Sequence, residues 1–283
     1  MKTAVIYGAT KTGRSLYELT KDKYEVLYFV DGDLSLIGDR IDEKEIRKRD
    51  VIFEDIPDVV LMGILTGYED AVEYLRSNGM EEERIICSYV DLPSRARRDY
   101  LEKVSQIFRE KGNVPGAVAE LGVYRGDFAR IINKVFPDRK LYLFDTFEGF
   151  PEADIQYEEE NGLLLSKVGK LANTSVEYVL GRMPYPDNCI IKRGYFPETT
   201  VGLEKETFAF VNIDVDLYKP ILAGLEYFWP RMADGGYILV HDYFSFSYAG
   251  AKKAIQEFVK KHQVGFVPIG DTLSVAFIKK GKN

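Results

Sequence analysis

The chain has 283 residues, 46% hydrophobic and 29% charged, a make-up that suits an ordinary globular protein with one large core or two medium ones. Its net charge of -7 gives no general attraction to nucleic acid or to anionic lipid. Two cysteines, Cys87 and Cys189, provide neither a disulfide framework nor a metal knuckle, and no apolar run reaches the roughly 18 residues of a membrane span. The N-terminus enters a strand pattern at once, with no signal-peptide character, so the expected location is the cytoplasm.

The first elements alternate. "TAVIYGA" is a short β-branched run closed by Gly8, and "GRSLYELTKD" has helical spacing with Leu16 and Leu19 on one face. "YEVLYFVDGD" is a second strand ending in Asp31 and Asp33, and "DVVLMGI" is a third. "YEDAVEYLRSNGM" is a helix closed by Gly79, and "RIICSYV" is a fourth strand. Such alternation predicts a small parallel, Rossmann-like sheet over residues 1–91. Gly8 and Gly13 stand in a strand–turn–helix, but Thr10 occupies the place of the middle glycine of a dinucleotide fingerprint. No cofactor is therefore assigned to this unit, and a structural, substrate-presenting or dimer-forming role is expected, leaving a homo-oligomer open.

Residues 92–113, within "LPSRARRDYLEKVSQIFREKGNVPG", read as a charged linker helix. Pro93 and Ser94 signal its start, Gly112 and Pro115 its stop, and Tyr100, Val104 and Phe108 its apolar positions. The pattern then restarts over 114–283. "GAVAELGVYRGDFARIINKVF" is strand, glycine turn and helix, and "KLYLFDTF" is a strand. A less regular stretch runs from Glu148 to Met183. "NCIIKRGYF" and "FAFVNIDVDLY" are strands, "PILAGLEYFWPRM" a helix, "GGYILVHDY" a strand, "AKKAIQEFVKKH" a helix and "TLSVAFIKK" a last strand. This predicts a doubly wound, mostly parallel α/β sheet with helices on both faces.

Ligands of such sheets bind outside the carboxyl ends of the strands. Those ends carry Glu120 to Gly126, Asp145, Gly194, Asp214 with Asp216, and His241 with Asp242. An acidic rim of this kind attracts a sulfonium, an ammonium or a divalent metal. In "AELGVYRGDF", Gly122 and Gly126 permit a tight turn before a helix. The acid at Glu120 would repel a pyrophosphate and favour the amino group and sulfonium of S-adenosylmethionine (SAM). Asp145 ends the next strand, where an acid is placed to bind ribose hydroxyls. In "NIDVDLY", strand alternation puts Asp214 and Asp216 on one side. They read either as solvated acids capping a helix that has Pro220 at its first position, or as a metal ligand and a base. A hard divalent cation shared by Asp214 and Asp242 would offset two buried charges.

Together "AELGVYRGDF", "LYLFDTFEGFP", "GYFPETT", "NIDVDLYKPILAGLEYFWPRMADGGYILVHDYF" and "AKKAIQEF" resemble the macrocin O-methyltransferase (TylF-type) family, from about Val114 onward. The resemblance implies a class I SAM-methyltransferase-like fold and a SAM- and metal-dependent O-methyltransferase acting on a sugar hydroxyl of a small-molecule or glycan acceptor. It implies that Glu120, Gly122, Tyr124 and Gly126 form the SAM loop, that Asp145 binds the ribose, and that Gly194 and Tyr195 lie near the adenine. Asp214 and Asp242 would hold a magnesium- or manganese-type ion, Asp216 would be the general base, and residues 148–183 would form a lid. The family usually has two adjacent acids before the Tyr of "HDY"; here the first is His241. Imidazole suits manganese, iron or zinc better than magnesium. Three readings follow: a retained site with altered preference, which is favoured; a histidine outside the metal shell; or loss of the metal. His262, the other histidine, reads as a helix C-terminal residue. Two competing readings remain. One is a non-catalytic SAM- or nucleotide-binding scaffold or sensor with a degenerate metal site. The other is a nucleotide-sugar oxidoreductase using the first unit, which the broken glycine pattern disfavours.

Overall fold

A computed structural model describes residues 1–281 except 66, 111, 113, 164 and 165, and of residues 91–94 it describes the backbone only. The chain forms two compact units, Met1–Arg95 and Ala96–Asn283. Among the described residues no helix is long and apolar enough to cross a membrane.

In the first unit the strands are β1 (Lys2–Tyr7), β2 (Tyr24–Asp31), β3 (Arg40–Ile41), β4 (Lys44–Lys48), β5 (Val59–Met62) and β6 (Ile85–Ile86), ordered β3-β4-β2-β1-β5-β6. All neighbours are parallel except the β3–β4 hairpin. Both faces of β1 are covered, as a parallel sheet requires: Val5 and Tyr7 join one core, Ala4 and Ile6 the other. Helices α1 (Lys11–Thr20) and α2 (Tyr68–Ser77) belong to this unit. On α1 the buried positions are Gly13, Leu16 and Thr20, whereas Leu19 is 62% exposed. Three residues is 300° on a helix, so the stripe that buries Leu16 leaves Leu19 at its edge. A Cβ on Gly13 would collide with the carbonyl oxygen of Gly8, so this glycine serves a tight β1–α1 turn. The Asp31 carboxylate also closes the turn, accepting the Ala9 N–H at 2.8 Å.

Helix α3 runs from Ser88 to Glu110 and so starts earlier than the sequence suggests. The expected strand "RIICSYV" shrinks to β6, because the Val90 N–H turns back to the Cys87 carbonyl at 2.9 Å and opens the helix. The side chains of Pro93 and Ser94, read as a start signal, lie outside the description.

In the second unit the strands are β7 (Ala117–Leu121), β8 (Leu141–Asp145), β9 (Cys189–Arg193), β10 (Phe208–Ile213), β11 (Met232–Val240), β12 (Val267–Pro268) and β13 (Val275–Ile278), ordered β12-β13-β11-β10-β7-β8-β9. Pairing is parallel from β11 to β9, and β13 runs antiparallel to β11. The chain steps outward from β7 to β9, then returns to β10 on the other side of β7. The reversal between β7 and β10 is the switch point at which α/β sheets bind ligands. Helices α4 (Asp127–Val135), α5 (Glu152–Glu160), α6 (Val176–Gly181), α7 (Tyr218–Phe228) and α8 (Ala249–His262) complete the unit.

Strand alternation divides the core. Ala119, Leu121, Val211 and Ile213 pack with Leu225, Phe228, Ile255 and Phe258 of α7 and α8. Val118, Leu143, Phe210 and Leu239 pack with Leu101, Val104 and Phe108 of α3 and with Ile132 of α4. Phe228 is fully buried, with ring centroids 5.8, 5.5 and 5.0 Å from Phe144, Phe196 and Phe208. Replacing Phe228 by Ala should cost the second unit about 3–5 kcal/mol, through lost transfer energy and a cavity. Leu19→Ala should change stability by less than about 0.5 kcal/mol. Denaturant melts followed by circular dichroism check both, and a Phe228→Ala midpoint at the parental value would refute this account of the core.

Candidate active site

A cleft with about 630 Å³ of empty space, partly open to solvent, lies at the carboxyl ends of β7, β8, β9 and β10. Gly122, Tyr124, Asp145, Gly194, Tyr195, Asp214 and Asp216 all line it. The turn after β7 needs its glycine for a reason other than ligand approach. Gly122 has φ +88°, and a Cβ there would collide with the carbonyl oxygen of Asp214, so the β7 and β10 loops can cross only at a glycine. Gly126 begins α4 in the left-handed region. The Asp145 carboxylate fixes this turn: Oδ2 accepts the N–H groups of Val123 and Tyr124 at 2.7 and 2.8 Å, and Oδ1 accepts that of Phe147 at 2.7 Å. Two oxygens offer about four lone-pair sites, so one acceptor site is left for a ligand hydroxyl.

Asp214 follows β10 directly. Its Oδ2 lies 3.0 Å from Nη2 of Arg97, and its Oδ1 lies 3.1 Å from Nδ1 of His241. That same nitrogen is 2.9 Å from Oδ2 of Asp242, a buried residue at the end of β11. Burial pushes the Asp214 carboxyl up, but His241 and Arg97 outweigh it and hold it well below the usual carboxylate range. Burial pulls the His241 imidazole down, but Asp214 and Asp242 raise it to about 10. Burial, together with the charges of Asp242 and Asp214, pushes the Asp216 carboxyl well above its ordinary value.

The alternation argument for Asp214 and Asp216 does not apply, because β10 ends at Ile213. Asp216 has φ 62° and Asp242 φ 63°, left-handed values that non-glycine residues adopt at a cost and that cluster at functional sites. Both acids at 214 and 216 still line the cleft. Neither caps α7: no side chain of its Ncap residue, Leu217, does so, and Glu158 accepts the Tyr218 N–H at 2.7 Å instead. Pro220 stands third in α7, not first.

Glu120 is not among the cleft-lining residues. Alternation along β7 turns it, with Val118, toward the α3 and α4 side, while Leu121 faces the other core. Its Oε1 accepts from Nδ2 of Asn212 at 2.8 Å, and burial followed by the Asp214 charge pushes its carboxyl well up. Arg97 links this buried layer to the cleft. It donates to Oδ1 of Asn212 at 3.1 Å as well as to Asp214, and its guanidinium covers the Phe128 ring at 4.2 Å. Sequence reasoning missed Arg97 by treating α3 as a charged linker. A signal was present: Arg97, Leu101, Val104 and Phe108 follow the 4-3-4 spacing of one helix face, so Arg97 continues the apolar stripe. His262 ends α8 and pairs with Glu226 at 3.0 Å.

The donor set fits a divalent ion. One ligand atom each from Asp214, His241 and Asp242 lies within 4.8 Å of the others. Ligands about 2.1 Å from an octahedral ion and at right angles to each other stand about 3 Å apart, which matches the observed 3.1 and 2.9 Å. The cleft also fits SAM in character, with apolar Leu121, Phe144 and Val215 beside Asp214 and Asp216.

Comparison with known proteins now adds to this geometry. The model of the macrocin-O-methyltransferase (TylF) family matches residues 39–277. The chain belongs to the TylF family. The match begins at residue 39, not near Val114 where the motifs begin, so the family pattern extends into the first unit. Among its relatives, 8-demethyl-8-(2,3-dimethoxy-alpha-L-rhamnosyl)-tetracenomycin-C 4'-O-methyltransferase of Streptomyces olivaceus is 29% identical over 46% of this chain and 54% of its own length. Mycinamicin III 3''-O-methyltransferase of Micromonospora griseorubida is 29% identical over 54% of this chain and 64% of its own. The chain thus spans between half and two thirds of the length of these two relatives. Two solved structures share the fold. The O-methyltransferase NovP is 21% identical, with a TM-score of 0.54 over 74% of this chain and 88% of that one. CalS11, calicheamicin methyltransferase, is 19% identical, with a TM-score of 0.55 over 75% of this chain and 91% of that one. The class I SAM-methyltransferase fold read from the sequence is the fold observed.

Arg97→Met should destabilise the second unit by about 3 kcal/mol, because it strands the Asp214 carboxylate in a mostly buried place. In a double-mutant cycle with Asp214→Asn the two changes should couple by more than about 1 kcal/mol. Additive urea-unfolding energies would mean that the ion pair does not hold Asp214.

Proposed function

We propose that the chain is a SAM-dependent, divalent-metal-dependent O-methyltransferase that acts on a sugar hydroxyl of a nucleotide sugar, glycan or secondary metabolite. The observation that carries this reading is a cleft lined by Asp214 and Asp216 in a TylF-family chain, with His241 and Asp242, which do not line it themselves, gathered behind Asp214. The sugar-directed names of the relatives support the acceptor class.

In this reading SAM, when bound, supplies the methyl group from a sulfonium, and the ion, when bound, lowers the pKa of a hydroxyl beside it. The chain's own residues do the rest. Asp214, His241 and Asp242 would hold the ion. Asp216, on the same cleft wall, would take the acceptor's proton as methyl transfer proceeds. Arg97 keeps the Asp214 carboxylate in one orientation, and Asp145 keeps the β7 turn in place. Phe150, Pro151 and Leu171, from the stretch read as a lid, line the cleft and would help to keep water from a bound acceptor. Nζ of Lys170 donates to the Tyr248 hydroxyl at 3.0 Å, tying that stretch to the loop after β11.

Asp216→Asn should leave SAM affinity within about twofold and lower turnover by about a hundredfold or more. Calorimetry and a methyl-transfer screen against nucleotide sugars test this, and a variant with parental turnover would displace Asp216 as the base. For the metal, calorimetric titration of the chelator-treated protein should show Mn²⁺ binding at least about tenfold tighter than Mg²⁺. His241→Asp should narrow that gap. Methyl transfer that continues unchanged in excess chelator would remove the ion from the mechanism.

A further inference from the structure

Two acids on α5, Asp154 and Glu158, stand four residues apart and share one face of the helix. Both are buried. Glu158 has an evident structural task at the start of α7, and its other oxygen lies where a Cβ on Gly250 would collide. Asp154 has no such account. Its side chain is only 2% exposed, yet it lines the cleft. Oδ1 accepts from the Tyr195 hydroxyl at 2.9 Å, while Oδ2 has no hydrogen-bond partner among the described residues. The Lys219 ammonium stays 4.0 Å from Oδ1 and donates instead to the Ala153 carbonyl at 2.9 Å. A buried carboxylate oxygen without a donor is costly, so the position calls for a donor from whatever fills the cleft.

The lining indicates the donor's chemistry. Asp214 and Asp216 give the cleft acids that favour a cationic sulfonium. Phe144, Phe196, Pro151 and Pro220 line the same cleft and give it apolar surface that suits a flat ring, with Asp154 as a further acid. An aromatic base between apolar walls, with one exocyclic amino group to donate in its plane, matches a single buried acceptor. Adenine has that group; hypoxanthine, with a carbonyl in its place, would set two acceptors against each other. We infer that Asp154 reads the 6-amino group of the adenine ring of SAM through Oδ2, with the Tyr195 hydroxyl holding the carboxylate in orientation. This rests on the methyltransferase reading above.

The test is calorimetric titration of the full chain with S-adenosylhomocysteine and with S-inosylhomocysteine. Burial pushes the Asp154 carboxyl up, so the titrations are run at pH 8, on the side that favours its ionised form. The parent protein should bind the adenosyl compound about 10- to 100-fold tighter, the range expected for a hydrogen bond to a charged group. Asp154→Ala should bind both compounds about equally. Asp154→Asn, closer in volume and able to keep the Tyr195 contact, should also narrow the ratio and serves if the alanine variant does not fold. A purely structural role would weaken both compounds together and leave the ratio at the parental value, which would overturn the inference. Equal binding of the two by the parent protein would also overturn it. Failure of the parent to bind S-adenosylhomocysteine at all would overturn the methyltransferase reading itself, and this inference with it.

Discussion

The second unit is organised around one electrostatic constraint: a carboxylate, Asp214, placed at the end of a buried strand and held between two cations. Arg97 approaches one oxygen and His241 the other. Each cation is anchored again, Arg97 on Asn212 and His241 on Asp242. Removing a charge from water is tolerable only when its partners are fixed and complete. The packing of α3 against β10, the burial of Asn212 and the left-handed turn at Asp242 therefore serve the same end. They keep two positive groups within about 3 Å of one acid.

The cleft exists because the sheet reverses direction between β7 and β10, and the reversal brings two loops into contact. Their crossing leaves no room for a side chain at 122. The β7 turn would otherwise be loose, but Asp145 on the neighbouring strand accepts both of its N–H groups. The first unit repeats the device, with Asp31 at the end of β2 accepting from the turn after β1. In both units an acid at a strand end supports a backbone turn, and of the two only Asp145 reads from sequence as a ligand contact. In the second unit that support does not exclude ligand contact, since the carboxylate keeps acceptor capacity.

Much of this was legible in the sequence. The strand runs are apolar on both faces, which is what a parallel sheet needs, and their glycine-punctuated ends mark where acids gather. The residues that bound the cleft, from Gly122 to Asp216, could be read from those ends. Direction was less legible. Glu120 lies one residue before the end of its strand, and the pleat sends it into the protein, away from the cleft. Asp216 lies beyond its strand, where period-two reasoning stops. Partners from distant segments were least legible. Arg97 and Asp154 take their meaning from burial, and burial of a charged residue shows in sequence only as an unexpected place on an apolar stripe.

His241 shows how one residue alters the charge balance while keeping the geometry. Asp214 lies between Arg97 and the His241 imidazole, the imidazole also meets Asp242, and the charges of both acids reach Asp216. With an acid at 241 the cluster would lose the imidazole and gain a further carboxylate, and the acids would repel one another unless a cation came between them. The imidazole spans the same gap, with one nitrogen near 3 Å from an oxygen on each side. Protonated, it supplies part of the positive charge that the acids require; Nδ1 becomes a ligand atom only when that proton is lost. The cluster is thus held by the chain's own groups, and an ion bound there would have to displace the imidazole proton.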